Sequence, residues 1–271
     1  MDTRSITNAA CIDTLFDKKK SIILDLRIAN FIVKKRNLAI MKSFRLGAIW
    51  NMLDPLLHSL IYLFVFTVIR YNSHPGNLMI GIALIRGLQQ NLIYGASSNL
   101  DFTAGLKIER VRSRAIVLSE LFYVVQTSFY LSFGTVLVLL LLDASYWVIP
   151  LMPLFCILNG LVWYSFGRVL SPIVQTLPDF KKIVTYFGMM MFYGSPALYP
   201  LSMTRGIHRQ INLYNPFAFI SEPARYMAFG SDSHRLLDPF VGVIIFTIAT
   251  FSLVFGLYMI DKQRWRWSTW N

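Results

Sequence analysis

Residues 115–142 read AIVLSELFYVVQTSFYLSFGTVLVLLLL, and Glu120 is the one charged group among them. At a rise of about 1.5 Å per residue, a helix of this length exceeds the roughly 30 Å of hydrocarbon in a bilayer. Five more apolar runs flank it, at 49–69, 78–96, 147–170, 183–198 and 240–260. Helices satisfy their own backbone in lipid. An all-α integral membrane protein with six transmembrane helices is therefore predicted.

Composition agrees. Of 271 residues, 55% are hydrophobic and 15% charged, where a soluble domain carries nearer a quarter charged. One membrane domain over 44–271, preceded by a polar segment over 1–43, leaves no room for a second folded unit of ordinary size. Cys11 and Cys156 fall on different segments and read as free thiols, with no metal site and no disulfide framework.

A net charge of +12 would suggest nucleic acid in a soluble protein, but its distribution argues for membrane topology. Ten Lys and Arg precede the first run, and Lys107, Arg110, Arg112 and Arg114 follow the second. Arg168, Lys181 and Lys182 follow the fourth, and Lys262, Arg264 and Arg266 the sixth. With a cytoplasmic N-terminus these twenty face inward, and Arg70, Arg205, Arg209, Arg225 and Arg235 face outward. Both termini are thus expected in the cytoplasm, an even number of spans is required, and no nucleic-acid partner is expected. The first span is expected to act as the insertion signal, since it follows a polar, basic stretch.

Within 1–43, Leu24, Ile28, Phe31 and Ile32 share a loose helical face flanked by basic residues, which predicts an amphipathic helix at the lipid headgroups. Lys35 falls on that face and must snorkel. Residues 99–114 form the longest inner loop, with a short amphipathic helix over 107–114, and 171–182 a short inner turn with Pro172 and Pro178. Residues 199–237 are too polar to span and contain Pro200, Pro216 and Pro223, with apolar patches between them. Short re-entrant helices between spans five and six, dipping into the outer interface, are the expectation.

Three stretches together resemble one family. The first is FRLGAIWNMLDPL over 44–56, entering the first span. The second joins Gly167-Arg168 to LPDFKK over 177–182. The third is SPALYPL over 195–201, followed by Asn215-Pro216-Phe217, Glu222, Arg225 and Gly230. The chain resembles the membrane (permease) subunit of type-2 ABC exporters for polysaccharides, the capsular polysaccharide and O-antigen export family. The resemblance implies a homodimer in the bacterial inner membrane, two ATP-binding cassette subunits on its cytoplasmic face, and a polysaccharide or lipid-linked glycan as cargo. It departs in having a polar second span and no proline near Arg112–Arg114.

Energetics point the same way. No G-x-x-x-x-G-K-[ST] phosphate loop occurs, so this chain binds no cofactor itself. ATP and Mg belong on a separate ATPase, and the chain reads as a transport subunit without catalytic or metal residues. The basic loop with Thr103, Lys107, Glu109, Arg110, Arg112 and Arg114 is the candidate for docking that ATPase; its bland alternative is a topology signal.

Polar groups inside spans face the bundle interior or a water path. Arg86 could meet glycan hydroxyls or phosphate through its planar donor fork, or pair with Glu120. Gln89, Gln90 and Asn91 could bond sugars or another helix. Trp50, Tyr62, Tyr94, Phe122 and Tyr123 are candidates for a channel lining that stacks on sugar rings, against the alternative of interfacial or packing aromatics. Met189–Met191 reads as packing or a flexible dimer seam. Asp54 and His58 share a face at i, i+4, where a structural or gating role is preferred to chemistry. The outer gate is assigned to Tyr199, Pro200, Asn215, Pro216, Glu222 and Arg225, with Glu222 and Arg225 spaced to pair. Two rivals remain: an exporter of a smaller lipid or drug, and a membrane-embedded glycan-modifying enzyme. Scattered histidines disfavour the second.

Overall fold

The computed structural model describes residues 15–43, 50, 53, 56–57, 60–61, 64–65, 75–105 and 113–267. Among the described residues the α-helices with defined bounds are, in chain order, α1 (Leu15–Ser43), α2 (Pro75–Gly105), α3 (Ser113–Leu141), α4 (Val148–Thr176), α5 (Phe180–Gly194), α6 (Gly206–Leu213), α7 (Ala218–Phe229) and α8 (Pro239–Trp267). Single 3-10 turns stand at Leu201–Met203 and Asp232–Leu236. No strand occurs among the described residues. The all-helical membrane reading therefore holds. Three helical stretches are long and apolar enough to cross a bilayer, Arg114–Leu141, Val148–Thr176 and Pro239–Met259.

The other expected spans differ. Most of 49–69 lies outside the described residues, including Asp54, His58 and Tyr62; the described members are helical, and Leu56 packs on the core. Helix α2 has 31 residues, ample in length, but its polar groups lower its hydropathy. It runs on to Gly105, well into the expected inner loop. Helix α5 has 15 residues and stops at Gly194, about 22 Å of rise. The cause is local: a residue before proline is pushed out of the helical region, and Ser195, preceding Pro196, is extended at φ −94°, ψ 164°.

Helix α2 is the axis of the bundle and packs most extensively on α4. Glycine lets the two backbones meet. A Cβ on Gly95 would lie 2.4 Å from the Tyr164 carbonyl oxygen, and one on Gly167 2.2 Å from that of Leu92. Small residues at such crossings are how membrane helices approach without a hydrophobic driving force between them. A polar side chain binds the same seam, Asn159 Nδ2 donating to Leu84 O (2.8 Å), while Asn91 Nδ2 donates within α2 to Gly87 O (2.8 Å).

Helix α1 lies along α3 by a face other than the apolar one assigned to the headgroups. Asp25, Ala29 and Val33 are buried, successive i, i+4 positions. Leu24 and Phe31 are instead about half exposed. Periodicity marks an apolar face; the partner surface here selects a narrower one carrying small and polar groups. The turn after α3, with Asp143 at φ 57°, is tied to α7 by Ser145 N donating to Ala228 O (3.0 Å).

Candidate functional site

Three polar constellations stand out, one at each end of the bundle and one between. At one end, Arg225 of α7 is fully buried with Glu222, their charged atoms 2.6 Å apart. Its guanidinium also donates to the carbonyls of Ala197 (2.8 Å), Asn77 (3.0 Å) and Tyr199 (3.2 Å). Glu222 Oε1 accepts from Leu201 N (3.2 Å). The start of α2, the SPALYPL stretch and α7 are thus stapled by one side chain. Gly81 makes room for it, since a Cβ there would sit 2.5 Å from the guanidinium and 1.7 Å from Ala197 O.

Beside this staple, Tyr199 Oη donates to Tyr193 O (3.1 Å) and meets His208 Nε2 (3.0 Å). Asn212, wholly buried, donates to Gly194 O (3.0 Å) and accepts at Oδ1 from Asn215 Nδ2 (3.1 Å). Asn215 Oδ1 in turn accepts from Phe217 N (3.0 Å), the local turn that makes asparagine useful before a helix. Burial pushes the Tyr199 phenol up from its ordinary value. Of the residues assigned to the outer gate, Tyr199, Pro200 and Pro216 are half-buried and Asn215 is buried, while Glu222 and Arg225 have no exposed surface. Their spacing announced the ion pair; Asn77, His208 and Asn212 carried no comparable signal.

At the opposite end, Glu120 of α3 is buried against α4, 3.7 Å from Arg168 Nη1, and accepts from the Tyr164 hydroxyl. Tyr94 stacks between Tyr164 and Tyr123, at centroid distances of 5.8 and 4.8 Å. Arg36 of α1 closes the stack. Its guanidinium lies 4.7 Å from the Tyr94 ring centre and 4.6 Å from that of Tyr123, and Nη1 donates to Tyr94 Oη (2.6 Å). Glu120 therefore pairs with Arg168, not with Arg86, and Glu120, Tyr94 and Tyr123 are packing members of a four-helix junction. Gly167-Arg168 of the second motif acts the same way: glycine admits α2, and arginine neutralises Glu120.

Between the two ends lies the third constellation. From Leu78 to Ser97 every side chain of α2 is buried except Arg86, Gln89, Gln90 and Ile93, which share one helical face. Gln89 Nε2 donates to Gly188 O of α5 (3.0 Å), and Gln90 is exposed. Arg86 is half-buried, its Nε without a hydrogen-bond partner among the described residues. No ion pair to Arg86 forms among the described residues, and a guanidinium at mid-helix calls for a partner, water or a ligand around it.

The remaining assigned residues are scattered. Phe122 is exposed at 38%, Trp50 half-buried and Arg114 exposed. Thr103 lies on the helical backbone of α2. Tyr62, Lys107, Glu109, Arg110 and Arg112 lie outside the described residues. No group of three or more metal-ligating side chains forms among the described residues.

No family model matches the chain. Curated relatives do. The O-antigen export system permease protein RfbA of Klebsiella pneumoniae is 25% identical over 239 residues, covering 84% of this chain and 88% of that one. RfbA of Myxococcus xanthus is 27% identical over 161 residues, 58% of this chain and 62% of the relative's length. The polysialic acid transport protein KpsM of Escherichia coli is 22% identical over 243 residues, 82% and 88%. The resemblance to polysaccharide-export permeases, drawn from three short motifs, thus extends along most of the chain.

Proposed function

We propose that this chain is the permease subunit of an ATP-driven exporter that carries a polysaccharide, free or lipid-linked, across the bacterial inner membrane. The observation that carries this reading is the polar stripe of α2. Arg86 and Gln90 lie on the less buried face of α2, whose other side chains from Leu78 to Ser97 are buried apart from Gln89 and Ile93, a costly arrangement in lipid and a useful one along a wetted path. The relatives' names supply the cargo class. Two copies would meet so that these stripes line a shared conduit, with the exposed Tyr186, Met190 and Tyr193 face of α5 at or near the seam.

Six spans complete the subunit in this reading. Residues 44–271 are the membrane domain and 1–43 a cytoplasmic interfacial segment. Both termini face the cytoplasm, α6 and α7 are re-entrant, and 199–237 form the outer gate. Two ATP-binding cassette subunits hold ATP and Mg and dock near 103–114. The buried staple at Arg225 suits a gate that moves as one block, because its parts cannot separate without exposing an ion pair. The aromatic junction at Arg36 suits a transmission point, since it joins α1 to three bundle helices at the cytoplasmic end.

The test is glycan export in cells whose own copy is deleted. Arg86→Ala is expected to lower surface polysaccharide at least tenfold while the variant still assembles with its ATPase and stimulates nucleotide hydrolysis. Unchanged export in Arg86→Ala would remove the stripe from the substrate path.

A further inference from the structure

A groove of about 800 Å³ runs between α1 and α3. Its walls are Ile23 and Leu26 on one side and Phe122 and Phe129 on the other, and Arg27 and Asn30 stand at its rim. Each of the four wall residues is 38–49% exposed, so the walls are open to whatever surrounds the protein. No carboxylate is among the described residues that line the groove. The outer side of α1 carries Ile22, Leu24, Phe31 and Leu38, all about half exposed, beside the exposed Lys34 and Lys35. Lys35 Nζ sits 4.9 Å from the Phe31 ring centre, its stem along apolar surface and its charge at the edge. So large an apolar area rimmed by cations is the surface of a helix lying in the headgroup layer.

We infer that this groove is a binding site for an anionic membrane phospholipid, with an acyl chain between the aliphatic and aromatic walls and the phosphate at Arg27 and Asn30. Charge complementarity selects this occupant: the rim offers a guanidinium fork and an amide donor with no competing acid, the donor set that phosphate oxygens take. An apolar protein segment would leave Arg27 unmatched. Gln126, also on the lining, is already engaged, accepting from Asn37 (3.1 Å) and donating to Tyr130 Oη (2.8 Å), so the groove floor is held rigid by protein contacts. A lipid seated here would pin α1 to α3 next to the Arg36 junction and make the resting position of α1 depend on bilayer charge.

The full-length protein in phosphatidylglycerol or phosphatidylcholine nanodiscs, released into the gas phase for native mass spectrometry, tests the site without any export readout. Wild type is expected to retain phosphatidylglycerol over phosphatidylcholine. Arg27→Gln is expected to lower that preference about fivefold, the effect of one basic group at an anionic surface. Val125→Trp, on the groove lining, is expected to lower retention of both lipids by narrowing the space between the two walls. Equal retention of the two lipids by wild type, or wild-type retention in Val125→Trp, would overturn the proposal. A photoreactive residue at position 122 should crosslink to lipid; adducts confined to the first fourteen residues or to a second protein chain would place protein in the groove and overturn it equally.

Discussion

Arg225→Met is the substitution whose consequence the structure sizes best. The native guanidinium neutralises Glu222 at 2.6 Å and donates to three main-chain carbonyls from two other segments. Methionine fills similar volume and supplies none of these. Breaking a buried ion pair from one side costs about 3–5 kcal/mol, and each lost charge-assisted hydrogen bond about 1.5–3 kcal/mol. These figures overlap, because both include the desolvation of Glu222, so the expected loss is about 5 kcal/mol, in the exceptional tail of single substitutions. Glu222 Oε2 has no hydrogen-bond partner among the described residues, so the Leu201 amide on Oε1 is all that the described residues leave to its charge once Arg225 is gone. Pairing the change with Glu222→Leu removes the stranded carboxylate, and the double variant should be more stable than Arg225→Met alone. Unfolding in detergent micelles by added dodecyl sulfate, followed by helical circular dichroism, measures both. Additive effects, or an Arg225→Met loss within about 1 kcal/mol of wild type, would show that the staple is not what holds α7 to the start of α2.

Other consequences follow from the same geometry. Arg36→Ala should weaken the hold of α1 by about 3 kcal/mol, one charged hydrogen bond and two ring contacts, read as faster hydrogen exchange in 25–38 and unchanged exchange in α7. Gly167→Ala places a methyl where Leu92 O stands and should cost about 1–3 kcal/mol of overpacking, whereas Gly194→Ala, with nothing within 4 Å of the added Cβ, should be neutral in the same unfolding assay. The raised Tyr199 phenol binds its proton more tightly in the folded state than in the unfolded one, so its contribution is intact below about pH 10 and is lost as pH rises through the folded-state value. Tyr199→Phe should therefore flatten the alkaline limb of a stability–pH profile, and an identical limb in both proteins would refute that assignment.

The sequence was informative where the signal was local. Apolar runs at 115–142, 147–170 and 240–260 became long helices because length and hydropathy are properties of the run itself. The run at 183–198 ended early at Gly194, and the reason, a residue before proline, was visible but outweighed by hydropathy. The extension of α2 to Gly105 was missed because a helix continues through polar residues wherever its backbone bonds are not interrupted. The Glu222–Arg225 pair was legible from its spacing, since i, i+3 side chains meet on any helix. The partner of Glu120 was not: Arg86 and Arg168 were both available, and only the crossing of α3 with α4 chose between them.

Taken alone, the order of residues determined that this is a helical membrane protein, where its longest apolar helices run, and its likeness to polysaccharide-export permeases. Those properties depend on neighbours along the chain, and solvent transfer acts on them without regard to the rest of the fold. Tertiary structure decided which face of α1 is buried, which arginine neutralises Glu120, and which side of α2 is left open. Each of these choices sets groups far apart in sequence against one another. Glycine-permitted backbone contacts and the desolvation of buried charges, both acting across helices, resolve them.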